Sequence, residues 1–141
     1  MKIKRDKAII CDIDGTLASR GKCDPHEHEK SGSDSLCDEV KNLLDIYKFN
    51  NYRIIILTGR QERFSKITKD WLAKHNVEYD IFHMRKNDDN RKDSLIKKNM
   101  YQKYIKNNFD VELILDDRDQ VVEMWRKELG LKCFQVNYGN F

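Results

Sequence analysis

Apolar positions along the chain fall into short runs that alternate with longer stretches of helical spacing. Lys7 to Ile13 is a compact apolar run bounded by charges, the pattern of a strand buried on both faces of a parallel sheet. Arg53 to Leu57, Ile81 to Met84, Val111 to Leu115 and Cys133 to Val136 repeat it, so five short strands are predicted. Between them, Val40, Leu43, Leu44 and Tyr47 fall at i, i+3, i+4 and i+7, and Phe64, Ile67, Trp71 and Leu72 form a similar stripe. Ile96, Met100 and Tyr104 predict a third helix, and Val121, Val122, Trp125 and Leu129 a fourth that stops at Gly130. Trp71 and Trp125 lie on these stripes, which assigns them to core packing rather than base stacking.

Strand alternating with helix predicts an α/β fold, a doubly wound, mostly parallel sheet between two helical layers. Ligands of such sheets bind beyond the carboxyl ends of the strands, where strand order reverses. The stretch over about 18–36 has no periodicity and is rich in Gly, Ser, Lys, His and acidic residues, so it is expected to be a long loop or flap after the first strand.

Composition narrows the classes. The 141 residues carry 27 Lys or Arg and 24 Asp or Glu, a net charge of +3, which excludes a polycationic nucleic-acid tail and an acidic disordered segment. One domain over residues 1–141 is expected. A single Pro and six Gly argue against linker-rich or many-turned β architectures. No apolar run approaches the roughly 18 residues needed to span a bilayer, and Asp12 interrupts the basic start before a signal-peptide core forms. A cytoplasmic location without membrane contact is expected, with Cys11, Cys23, Cys37 and Cys133 kept as thiols. Cys23, His26, His28 and Cys37 fit none of the usual closed zinc spacings, so a loop is the better reading.

Polar groups collect at the strand ends. The first strand ends in Asp12-Ile13-Asp14-Gly15-Thr16, the second in Leu57-Thr58-Gly59-Arg60 and the fourth in Asp116-Asp117-Arg118, while Asp93 and Lys97 stand one turn apart on the helix before it. Four carboxylates converging on one region repel and cannot all stay ionised uncompensated. A divalent cation is the simplest compensation, and an all-oxygen donor set favours Mg²⁺ over zinc. Thr58, Lys97, Arg60 and backbone N–H groups at Gly15 and Gly59 are the parts a phosphate needs. Bland readings stand beside these: Asp93 and Lys97 as a surface ion pair, Arg60 as a helix-end arginine, Asp116 and Asp117 as helix caps.

Asp12-x-Asp14-Gly15-Thr16, Thr58 after an apolar strand, then a Lys, then Asp116-Asp117 after another apolar strand, resembles the haloacid dehalogenase-like phosphohydrolase superfamily in the kind and order of its signature elements. Asp93, Lys97, the stretch from Asp116 to Arg126 and the closing Cys133 to Phe141 are similar to the phosphatase domain of T-even phage polynucleotide kinase/phosphatase. That likeness runs from about Lys7 to the last residue. No Gly-x-x-x-x-Gly-Lys-Ser/Thr phosphate loop is present, so a free-standing phosphatase module is expected.

The resemblance implies a capless three-layer sandwich with strand order 3-2-1-4-5. It implies Asp12 as nucleophile, Asp14 as general acid and base, and Mg²⁺ held by Asp12, Asp14 through its carbonyl, and Asp116 or Asp117. Thr16, Thr58, Gly59, Arg60 and Asp93 are expected around the substrate, Lys97 as the catalytic lysine with Lys92 as runner-up, and Arg20 or Lys22 as a substrate contact from the flap. The implied reaction is removal of 3′-phosphates, with 2′,3′-cyclic phosphates as a further substrate, from DNA or RNA ends, alongside a separate kinase or ligase partner. A small-molecule phosphatase and a non-catalytic end-binding module are the alternatives, and oligomer formation is left open. With five acidic residues assigned to one site, the rest of the chain is more basic than +3 indicates, which suits a polyanionic substrate.

Overall fold

The computed structural model describes residues 4–19 and 28–141. In chain order its elements are β1 (Asp6–Cys11), β2 (Ala18–Ser19), β3 (Ser35–Leu36), α1 (Asp38–Phe49), β4 (Arg53–Gln61), α2 (Ser65–Lys74), β5 (Ile81–Arg85), α3 (Asp93–Met100), β6 (Phe109–Asp116), α4 (Asp119–Glu123) and β7 (Cys133–Gln135). The main sheet has the order β5-β4-β1-β6-β7 with every pairing parallel, the expected 3-2-1-4-5 arrangement.

β1 is central because both its faces are apolar. Ile9 and Cys11 join Ile54, Ile56, Leu113 and Leu115 under α1 and α2, where Val40, Leu44, Trp71 and Leu72 complete one core. Ala8 and Ile10 join Ile55, Leu57 and Ile114 on the opposite face, under Ile96, Met100, Val121, Val122 and Trp125. Each fully buried aliphatic side chain contributes about 1.5–3 kcal/mol, so these two layers hold the sandwich together. Chain order reverses around β1, which puts its carboxyl end at the switch point. Both tryptophans are buried as expected, and no helix of the described residues is long and apolar enough to cross a membrane.

Three features depart from the sequence reading. Tyr104, expected on the third helical stripe, is 37% exposed, and Ile105 is buried in its place. The turn after α3 closes with an i to i+5 bond, Lys106 N to Tyr101 O at 2.8 Å, and the extra residue moves the buried face on by one position. The loop expected over 18–36 is structured at both roots: β2 and β3 pair antiparallel, a short 3₁₀ turn covers His28–Ser33, and Leu17 and Ala18 belong to the core. β4 runs past Leu57 to Gln61, and its register with β5 jumps from Thr58↔Met84 to Gln61↔Arg85, so Gly59 and Arg60 bulge out of the ladder.

Candidate active site

The carboxyl edge of the sheet gathers Asp12 after β1, Thr58 and the Gly59-Arg60 bulge in β4, Asp93 and Lys97 on α3, and Asp116-Asp117 at the end of β6. Asp12, Asp116 and Asp117 are all buried and each offers a carboxylate oxygen within 4.8 Å of the others. Lys97, 1% exposed, reaches Asp12 Oδ1 at 2.8 Å and Asp116 Oδ2 at 3.0 Å, with Asp93 Oδ2 at 3.7 Å. Lys92 is exposed at the start of α3, whereas Lys97 is the lysine that the fold brings to the carboxylates.

One ammonium does not balance this cluster. Burial pushes the Asp12 carboxyl well above the usual range; Lys97 opposes the shift, while Asp116, Asp117 and Asp93 add to it. Burial and the Asp116 charge push Asp117 up to about 6. Burial works against the Lys97 charge, but Asp116, Asp12 and Asp93 outweigh it and hold the ammonium firmly protonated. Three buried oxygen donors with a deficit of positive charge are the donor set that a hard divalent cation satisfies.

Asp14 stands apart from that set. Its carboxylate, partly open to solvent, accepts from Arg60 Nε at 2.9 Å and Nη2 at 2.5 Å. The Arg60 guanidinium is fully buried, donates to Thr68 Oγ1 at 3.0 Å and has Asp34 Oδ2 at 3.5 Å. Arg60, expected beside the substrate, is thus taken up in orienting Asp14, a bidentate task suited to its planar fork. Thr16, also expected at the substrate, is wholly buried, and its hydroxyl is shared between Asp12 Oδ2 at 3.2 Å and Asp117 Oδ1 at 3.4 Å.

The turns between these residues are tightly determined. Gly15 has φ +81°, and a Cβ there would collide with the Asp117 carboxylate, so glycine is required on two counts. Its N–H donates to Ala18 O at 2.8 Å and is not directed at a phosphate, contrary to expectation. Thr58 is buried with its hydroxyl accepting from the Arg60 N–H at 3.1 Å. Gly59 packs against the Asp93 carboxylate and its carbonyl accepts from Arg85 Nε at 2.8 Å. Asp93 is ringed by cations: besides Lys97, Arg85 Nη2 lies at 3.5 Å and Arg118 Nη1 at 3.8 Å. Its carboxylate therefore meets these three cations and the Gly59 turn.

Arg20, Lys22, Cys23 and His26 lie outside the described residues, so the flap contact and the Cys/His grouping have no structural counterpart here. Among the described residues Cys11, Cys37 and Cys133 are free thiols, and burial together with Asp116 pushes Cys133 up to about 12. Arg85 and Asp34 adjoin the site and were not singled out by the sequence, whereas the tail after β7 was singled out as part of the family likeness without a place at the site. Arg85 directly follows the third predicted strand, Ile81 to Met84, and closes the observed β5, so the strand-end rule that found other residues reaches it too.

Comparison with known proteins agrees with this geometry. Two solved structures of the Pnkp1/Rnl/Hen1 complex, one described as an RNA repair complex, contain a chain similar to this one. One match has a TM-score of 0.96 at 43% identity, covering 99% of this chain and 49% of that one; the other has 0.93 at 42%, covering 100% and 47%. A protein of Autographa californica nuclear polyhedrosis virus described as a bifunctional polynucleotide kinase/RNA ligase is 29% identical over 128 residues, 87% of this chain and 18% of that protein. This chain therefore spans about half the length of the solved relatives and less than a fifth of the viral one. The class C acid phosphatase from Bacillus anthracis, at TM-score 0.68 and 14% identity, shares the fold. The family model of the polynucleotide kinase PNKP phosphatase domain matches residues 6–141, and the chain belongs to that family.

Proposed function

We propose that this chain is a Mg²⁺-dependent phosphatase that removes 3′-phosphates from nucleic-acid ends through an aspartyl-phosphate, and that it works in RNA repair beside a kinase and a ligase. The observation that carries the reading is the separation of two carboxylates into two environments: Asp12 in the buried cluster with Asp116, Asp117 and Lys97, and Asp14 held at its edge by Arg60. Two carboxylates with distinct surroundings can take distinct roles.

Asp12 attacks phosphorus, and the bond from phosphorus to the ester oxygen breaks. Asp14, oriented by Arg60 and reaching solvent, takes up a proton from water beforehand and gives it to the leaving oxygen. In the second step Asp14 takes a proton from water as that water attacks phosphorus and frees Asp12. Lys97 keeps positive charge against Asp12 throughout. Asp12, Asp116 and Asp117 would hold Mg²⁺, which when bound neutralises charge on the phosphoryl oxygens and keeps the cluster ionised. No cap domain stands among the described elements, and an open cleft suits a phosphate at the end of a long chain.

The test compares phosphate release from 3′-phosphorylated RNA and DNA oligonucleotides, 3′-mononucleotides and an aryl phosphate, with Mg²⁺ and with chelator. Oligonucleotides turned over faster than the aryl phosphate, and only with Mg²⁺, support the reading. An oligonucleotide no better than the aryl phosphate returns the chain to small-molecule phosphatases.

A further inference from the structure

The segment after β7 is built against the acidic loops. Val136 N donates to Asp116 O at 3.0 Å, Gln135 Nε2 to Asp117 O at 2.9 Å, and Asn137 Nδ2 to Gly15 O at 2.8 Å. Gly139 is packed so closely that a Cβ would collide with the Asp117 carbonyl, and its own carbonyl accepts from Asp119 N at 2.9 Å. Beyond it, Arg118 Nε donates to Phe141 O at 2.7 Å, and the guanidinium lies over the Phe141 ring with 4.7 Å to its centroid. The strap is therefore fastened to the Asp14 loop on one side of Tyr138 and to the Asp117 loop on the other.

Of the aromatic rings in this closing segment, Tyr138 turns furthest outward. It is 103% exposed, so its ring buries nothing within the chain, although both neighbours are tied down. This large aromatic sits on a fixed backbone, between a residue bonded to the Asp14 loop and one packed on the Asp117 loop, and contributes nothing to the core. It is a preorganised surface: a tyrosine ring offers rigid contact area at low entropic cost, and every base has a face that stacks on it. The nucleoside that carries a 3′-phosphate is covalently next to the group being removed, so its base is the part of the substrate that meets the rim of the site.

We infer that Tyr138 is a substrate-binding residue, a stacking platform for the base of the nucleotide that bears the 3′-phosphate. This inference rests on the nucleic-acid reading above. It gives the site a preference for ends that carry a base over ends that lack one, with little preference among bases.

The test measures kcat/KM, on the full chain with Mg²⁺, for a 3′-phosphorylated oligonucleotide and for the same oligonucleotide whose terminal nucleotide has no base. The wild type prefers the base-bearing end by about tenfold; Tyr138→Ala removes that preference and Tyr138→Trp keeps it. A purely structural role would lower both rates together and leave the ratio intact. A ratio unchanged in Tyr138→Ala, or absent from the wild type, overturns the inference and leaves the ring to a protein partner. A wild type that releases no phosphate from any oligonucleotide removes the nucleic-acid reading itself, and this inference with it.

Discussion

The two edges of the sheet treat their carboxylates in opposite ways. At the amino-terminal edge Asp80 accepts from Lys48 Nζ at 2.7 Å and the Ile54 N–H at 2.8 Å, with Arg53 Nη1 at 3.4 Å. Burial works against its charge, but Lys48, the Ile54 amide and Arg53 together hold its carboxyl below the usual range. At the carboxyl-terminal edge Asp12, Asp116 and Asp117 have one ammonium among them in the described residues, Lys97, which touches two of the three. There burial prevails, and Asp12 and Asp117 are pushed up. A carboxylate with an excess of donors fastens structure; a cluster with a deficit stores a demand for positive charge, which chemistry can use.

The largest effect that tests this contrast comes from Asp12→Asn. It removes the attacking carboxylate, so phosphate release falls by about a thousandfold or more. Thermal stability in chelator does not fall, because one charge leaves an undercompensated cluster while Lys97 keeps Asp116 as a partner. Turnover assays and thermal melts on the same preparation check both halves. Appreciable turnover in the variant sinks the nucleophile, and a large loss of stability makes the cluster structural after all.

Arg60→Lys is next in size. The ammonium keeps the charge but loses the two-pronged grip on Asp14, so kcat falls by about ten- to a hundredfold while KM moves little. Steady-state kinetics on an oligonucleotide separate the two constants. A rise in KM with kcat intact would return Arg60 to the substrate.

These residues also mark how far the sequence could be read. The sheet was legible because its strands are apolar on both faces, and Asp12 and Asp116 because strand ends in such sheets point at one edge, with Lys97 one turn after Asp93 on the helix that precedes β6. Side-chain partnership was not legible. Arg60 was placed beside the phosphate because it stands at the right strand end, and Thr16 by the family resemblance, but neither ground carries a sign of partners such as Asp34 and Thr68 for Arg60 or Asp117 for Thr16, which arrive from elsewhere in the chain. The inserted residue after Met100 exchanges Tyr104 for Ile105 in the core, since a 3.6-residue period cannot anticipate an i to i+5 turn. β2 and β3, two residues each, are too short to have a period at all.

Metal removal sharpens the contrast from the other side. If the carboxyl edge stores a demand for charge, Mg²⁺ at a hundred times its dissociation constant stabilises the fold by about 2.7 kcal/mol, a rise of about 5–10 °C in melting temperature. Asp117→Asn shrinks that rise by removing one of the three donors. A wild type whose melting temperature ignores Mg²⁺ and chelator would leave the cluster without the cation its geometry suits.

The smallest effect belongs to the opposite edge. Asp80→Ala removes a carboxylate that joins the end of α1 to the start of β4, and its partial exposure limits the cost to about 1 kcal/mol. Because the folded protein holds Asp80 below the usual carboxylate range, its contribution is complete above the unfolded value near about 4 and is lost as pH falls through the folded one. Urea midpoints for wild type and variant therefore differ most at neutral pH and converge below about pH 4. Mg²⁺ leaves the gap between them unchanged, since the clamp already has its cations. A gap that widens in acid, or closes when Mg²⁺ is added, would mean that the two edges of the sheet are not independent.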